Sequence, residues 1–118
     1  MSDLKTLGGI VHDFCTEREW DPYHNLKDLA IGVSTESAEL LEIFRFKSEA
    51  QMQAMLGDPA AREHIGEELA DVLFFLLRLS EKAGIDLEEA FHDKVAKNAA
   101  KYPVESARGR NLKYDELP

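Results

Sequence analysis

Glu67-Glu68-Leu69-Ala70-Asp71-Val72-Leu73-Phe74-Phe75-Leu76-Leu77 reads as the middle of a helix. Around it, positions 61, 65, 68, 72, 75 and 79 recur at helical spacing and hold Ala61, Ile65, Glu68, Val72, Phe75 and Leu79. Five of these are apolar and one is an acid. Asp71 lies beside Phe75 on the same side. A stripe of this kind faces a core. An ionised carboxylate in a core is costly unless something pairs with it. Glu68 and Asp71 therefore call for a cation.

Working outward, Asp58-Pro59 is a start signal, a capping residue followed by proline at the first helical position. Gly84 is a stop. The spacing thus predicts a helix over Pro59–Ala83. Upstream, Leu4, Leu7, Val11, Phe14 and Cys15 predict a helix from about Leu4 to Glu19, weakened in its first half by Gly8-Gly9. Asp21-Pro22 breaks it. Asn25 caps a second helix that is expected to reach about Lys47. Residues 48–57 are polar and Met-rich, with room for one short helical turn. Downstream, Asp86 with Glu89 resembles a capping box for a last helix running to about Lys101. Pro103 ends it, and residues 103–118 read as an extended tail. No strand pattern is visible. Four helices with short connections predict an all-α, four-helix bundle-like domain spanning residues 1–118.

A chain of 118 residues forms one domain with a modest core, so self-association would add much to it. The formal net charge of −9 argues against a broad nucleic-acid surface. That charge is unevenly spread. Residues 94–118 hold six basic side chains against three acidic ones, and the rest of the chain is strongly acidic. An acidic body with a basic end suits metal at one part and phosphate at the other. Val72 to Leu77, the longest apolar run, is far too short to cross a bilayer. No signal peptide pattern precedes it. Cys15 is the single cysteine, so the cytoplasm is the expected compartment.

The second helix repeats the anomaly of the first. Leu29, Gly32, Val33, Glu36, Leu40 and Ile43 share one face, and Glu39 lies one turn beyond Glu36. Residues three apart on a helix are neighbours. Two such pairs on facing helices would bring Glu36, Glu39, Glu68 and Asp71 around one point. Di-iron carboxylate bundles use Glu-x-x-His, which neither pair supplies. An all-oxygen set suits Mg²⁺ or Mn²⁺ and phosphate chemistry. His64, four residues before Glu68, is placed to approach the site. On the last helix Lys94, Asn98, Lys101 and Tyr102 fall near one face, and such lysines and hydrogen-bonding groups suit phosphate oxygens.

The pattern Glu36-x-x-Glu39, Glu68-x-x-Asp71, Lys94-x-x-x-Asn98-x-x-Lys101-Tyr102-Pro103 resembles the all-α MazG-type nucleoside triphosphate pyrophosphohydrolases. The stretches Phe14 to His24 and Leu40 to Lys47 are similar to the short dCTP-pyrophosphatase-like branch of that family. The resemblance spans about Phe14 to Tyr102. It implies Mg²⁺-dependent hydrolysis of a nucleoside triphosphate, deoxy or not, to the monophosphate and pyrophosphate, in the service of removing unwanted or modified nucleotides. It also implies a homo-oligomer, with a core shared between two chains as a dimer or a tetramer. Two departures stand out. Thr35 occupies a place where many members carry a further glutamate, so a general base assigned there does not carry over. Phe46 stands where tryptophan is common.

On this footing Glu36, Glu39, Glu68 and Asp71 are the expected metal ligands and catalytic carboxylates, with Glu39 the favoured base. Lys47, Lys94 and Lys101, with Asn98 and Tyr102, are expected at the phosphates. Trp20, His24 and Phe46 are expected around the base. Two alternatives stay open at this point. One is pyrophosphohydrolysis of phosphoribosyl-ATP on the same fold. The other is a nonenzymatic helical dimerisation module, which accounts for the amphipathic helices but not for the carboxylates turned toward the core.

Overall fold

A computed structural model describes residues 3–118. Six α-helices and two 3₁₀ turns make up its regular structure, and no strand occurs among the described residues. The all-α expectation holds. The chain divides after Ile85 into two compact units, each taken by itself below.

In the first unit, α1 covers Leu4–Glu17, α2 Leu26–Phe44, α3 Glu49–Leu56 and α4 Pro59–Ala83. α4 is the spine, with α2 as its main partner and α1 and α3 also packed on it. Each helix starts where its side chains can cap it. Asp3 accepts from the Thr6 amide, Asn25 from Asp28, and Asp58 from Ala60. These caps satisfy amides that the first helical turn leaves without partners. α4 ends at Gly84, whose φ of 67° is left-handed and so suits glycine.

The apolar stripes read from the sequence are the packed faces. On α2, Leu29 is buried and Gly32, Val33, Glu36, Leu40 and Ile43 are half-buried, while the positions between them are exposed. On α4 the stripe from Ala61 through Leu79 is half-buried at every position named above. Leu29, Leu77, Val11 and Cys15 form the fully buried apolar centre. Each large aliphatic side chain buried in this way contributes about 1.5–3 kcal/mol. Gly32 of α2 lies directly against the Phe75 ring of α4. A Cβ added there would lie 2.5 Å from two atoms of the Phe75 ring. With any larger residue at position 32, the ring or the helix must shift. Gly32 lies one turn before Glu36, and Phe75 lies one turn after Asp71, so this contact adjoins the acids on both helices.

Three boundaries differ from the sequence reading. α1 ends at Glu17, because Glu19 turns the chain with a left-handed φ of 55°. α2 ends at Phe44 rather than near Lys47. Arg45 is extended and Phe46 takes a left-handed φ of 64°, which redirects the chain into the next cap. Residues 49–56 form a full two-turn helix rather than a single turn. Ser48 and Gln51 cap it reciprocally, each side chain bonding the other's backbone amide.

In the second unit, α5 covers Leu87–Lys101, with Asp86 accepting from the Glu89 amide as expected. Residues 103–118, expected as an extended tail, instead include a one-turn α6 at Val104–Ala107 and a 3₁₀ turn at Tyr114–Glu116, between irregular segments. Tyr102 packs edge-on against Tyr114, and the Lys101 ammonium lies 5.0 Å from the Tyr114 ring centre.

Candidate metal centre

α2 contributes Glu36 and Glu39, and α4 contributes Glu68. One carboxylate oxygen from each lies within 4.8 Å of the others. Asp71 is exposed and stands outside this tight trio. Its charge nevertheless reaches Glu36 and Glu68 and disfavours their ionisation. The pairing of Glu-x-x-Glu with Glu-x-x-Asp thus does bring carboxylates from two helices to one place.

Within the trio the carboxylates disfavour one another's ionisation. The Glu36 carboxyl is pushed up to about 7, first by sharing a hydrogen bond with Glu39, then by burial and by the charges of Glu39, Asp71 and Glu68. Glu68 is also raised, by burial first and then by Glu39 and Asp71. His64, with Nδ1 4.0 Å from a Glu68 oxygen, partly offsets this. Like charges crowded together disfavour their own ionisation. In addition, Glu36 Oε2 and Glu68 Oε2 are buried and have no hydrogen-bond partner. Buried polar atoms ordinarily have partners, and an orphan asks for an ion or a water. Three convergent carboxylates with two orphaned oxygens fit a hard divalent cation, which takes oxygen ligands. The arrangement fits a bound metal ion on its own chemistry.

The expected nucleotide contacts fall into separate groups. Trp20 and His24 lie edge to face with ring centres 6.0 Å apart, and Trp20 meets Phe14 in the same way at 5.6 Å. Phe14 in turn meets Phe74 on α4. Phe46 is 88% exposed with the Arg45 guanidinium over its ring, so the core makes no use of this aromatic. Lys47 follows it, exposed, just past the end of α2. Lys94, Asn98 and Lys101 occupy successive turns of α5, all exposed, and Tyr102 caps the helix. These last four belong to the second unit.

One buried ionic cluster is not among the residues singled out from the sequence. Arg78 on α4 is 2% exposed, and each of its three guanidinium nitrogens donates a hydrogen bond. Nε donates to His24 Nδ1 at 2.9 Å, Nη1 to Glu81 at 3.0 Å and Nη2 to Asp21 at 3.0 Å. Lys82 donates to the same Asp21 oxygen at 2.7 Å, and His12 pairs with the other oxygen of Glu81. Hydrogen bonding from Lys82, with the Arg78 charge, holds Asp21 below the usual carboxylate range. Burial alone would raise Glu81, but the His12 and Arg78 hydrogen bonds outweigh it and lower the group. Burial and the Arg78 charge lower His24. The available signal was a cation set in the apolar run Leu76-Leu77-Arg78-Leu79, with Glu81 three residues on.

Residues 31–117 match the MazG-like family. The dCTP pyrophosphatase 1 of Rattus norvegicus is 36% identical over 115 residues, covering 98% of this chain and 68% of the relative. That of Homo sapiens is 34% identical over the same shares. The crystal structure of a pyrophosphatase from Archaeoglobus fulgidus superposes with a TM-score of 0.78 at 38% identity, covering 87% of this chain and 94% of that one.

Proposed function

The chain belongs to the MazG-like family, and from that membership we propose that it hydrolyses deoxynucleoside triphosphates to monophosphate and pyrophosphate with the help of Mg²⁺. Mn²⁺, which takes the same oxygen ligands, is the natural substitute. The observation that carries the reading is the convergence of Glu36, Glu39 and Glu68 with two orphaned buried oxygens. The rat and human relatives are dCTP pyrophosphatases by name, which favours dCTP over phosphoribosyl-ATP. The biological role is the removal of unwanted or modified deoxynucleotides, in the cytoplasm where those pools lie.

The proposed roles follow from the chemistry. Glu36, Glu39 and Glu68, with Asp71 beside them, would hold the ion. A bound divalent ion supplies Lewis-acid polarisation of a phosphoryl oxygen and eases deprotonation of the attacking water. Glu39, the exposed member of the trio, takes that proton on a carboxylate oxygen. Lys47, Lys94 and Lys101 neutralise the oxygens of the departing pyrophosphate, and Asn98 and Tyr102 add hydrogen bonds. Trp20, His24 and Phe46 surround the base, and aromatic faces suit it because every base offers a π surface to stack on.

The working form is a homo-oligomer, a dimer or a tetramer of it. Ile31 and Leu41 on α2 and Leu69 and Leu76 on α4 are exposed, although the first unit has only a small buried apolar centre. Exposed apolar side chains on both helices support association through this part of the unit.

A panel of nucleoside triphosphates, assayed for pyrophosphate release with Mg²⁺ and with a chelator, tests the reading. Metal-dependent release from dCTP or a related deoxynucleotide is expected. Orthophosphate as the first product, or equal turnover under chelation, would overturn it.

A further inference from the structure

Arg78 is the buried charged side chain of this fold among the described residues, and the metal reading makes no use of it. Burying a cation is costly unless each donor finds an acceptor. Two of the three acceptors of Arg78 serve one feature: Asp21 opens the Asp21–Tyr23 turn and His24 follows it, and Lys82 reinforces the same turn through Asp21. The turn is entered through Glu19 in a left-handed conformation, so that the Trp20 amide can reach Cys15 O at 3.0 Å. Strained backbone of this kind persists only where its surroundings over-determine it.

The contact with His24 has a chemical consequence. A guanidinium has donors only, so an imidazole nitrogen receiving one must carry a lone pair. The proton of neutral His24 is therefore assigned to Nε2 by the hydrogen-bond network. Nε2 has no protein partner among the described residues.

We propose that Arg78 is a positioning residue for the nucleotide base. By donating Nε–H to His24 Nδ1 it fixes the imidazole in the Nε2–H tautomer and pins the Trp20–His24 turn. His24 then offers a donor to a base edge that carries an acceptor, such as a carbonyl oxygen or an unprotonated ring nitrogen. This rests on the nucleotide reading above.

Long-range ¹H–¹⁵N correlation on the full chain reads the tautomer directly, and steady-state kinetics with dCTP and Mg²⁺ read the consequence. In the wild type, His24 carries its proton on Nε2. In Arg78→Met that preference is lost. KM for dCTP then rises about tenfold while kcat stays within about threefold, the signature of lost uniform binding by one hydrogen bond. Arg78→Lys keeps the charge but not the fork, and it shows the same split if the Met variant does not fold. A wild-type His24 protonated on Nδ1 overturns the proposal, as does a folded variant that keeps the wild-type KM. If neither variant folds, Arg78 is a structural residue and the proposal fails. A wild type that hydrolyses no nucleoside triphosphate sinks the functional reading and this role with it, whereas a wrong tautomer in an active enzyme sinks the role of Arg78 alone.

Discussion

Replacing Gly32 with alanine probes the contact that adjoins the acids on both helices. The new Cβ would sit 2.5 Å from Cδ1 and Cε1 of Phe75 and 2.9 Å from Cγ. Carbon atoms prefer about 3.5–4.0 Å, so α2 and the ring must separate by roughly 1 Å. Overpacking of this sort costs about 1–3 kcal/mol. Alanine offsets part of that, because it is better than glycine in a helix by about 0.8–1 kcal/mol. The net expectation is a loss of about 0–2 kcal/mol in the metal-free protein. The sharper readout is a double-mutant cycle with Phe75→Leu. With a smaller and more yielding side chain in place of the ring, Gly32→Ala becomes neutral or stabilising, so the coupling is at least about 1 kcal/mol, as expected for residues in contact. Thermal melts of the four proteins, with and without Mg²⁺, measure it. Because Glu36 lies one turn beyond Gly32, the stabilisation by Mg²⁺ shrinks in Gly32→Ala as well. A Gly32→Ala protein that is more stable by the full helix-propensity gain, with coupling below about 0.3 kcal/mol, would refute the close-approach argument.

Three further outcomes follow from the same geometry. Glu68→Gln abolishes turnover by at least about a hundredfold, as for removal of a central electrostatic element, while circular dichroism keeps the helical signal; near-normal turnover with Mg²⁺ would remove Glu68 from the site. Saturating Mg²⁺ at about a hundred times its Kd stabilises the folded protein by about 2.7 kcal/mol, and Glu39→Gln reduces that gain; a melt that responds no more to Mg²⁺ than to matched ionic strength contradicts the cluster. Glu81 has a lowered folded pKa, so its contribution to stability is complete above the unfolded value of 4.5 and is lost as pH falls through the folded value. The melting-temperature advantage of wild type over Glu81→Gln is therefore constant above that range and vanishes on further acidification; an advantage growing toward acid would show the sign to be wrong.

The parts of the fold that were legible are those fixed by local chemistry. Asp58-Pro59 and Gly84 bound α4 as expected, and the apolar stripe with Glu68 inside it is the packed face. The three-residue spacing of Glu36–Glu39 and Glu68–Asp71 announced the acidic cluster, although the tight trio omits Asp71. The early end of α2 was not legible, because a phenylalanine in a left-handed conformation defies its own steric preference. α3 was underestimated because its polar, Met-rich sequence has little periodicity. Its capping pair Ser48 and Gln51 was nevertheless there to be read. Arg78 was hidden for a different reason. Its partners Asp21 and His24 are more than fifty positions away, and no periodicity within one helix reveals a bond between two.

Hydrolysis in ¹⁸O-labelled water tests the central claim most directly. If the carboxylate cluster and its ion act on the α-phosphoryl group, the attacking water's oxygen ends in the nucleoside monophosphate, and pyrophosphate leaves unlabelled and intact. Label in pyrophosphate or in free orthophosphate would mean attack at another phosphorus, and the pyrophosphohydrolase account would fail even with a metal in the site.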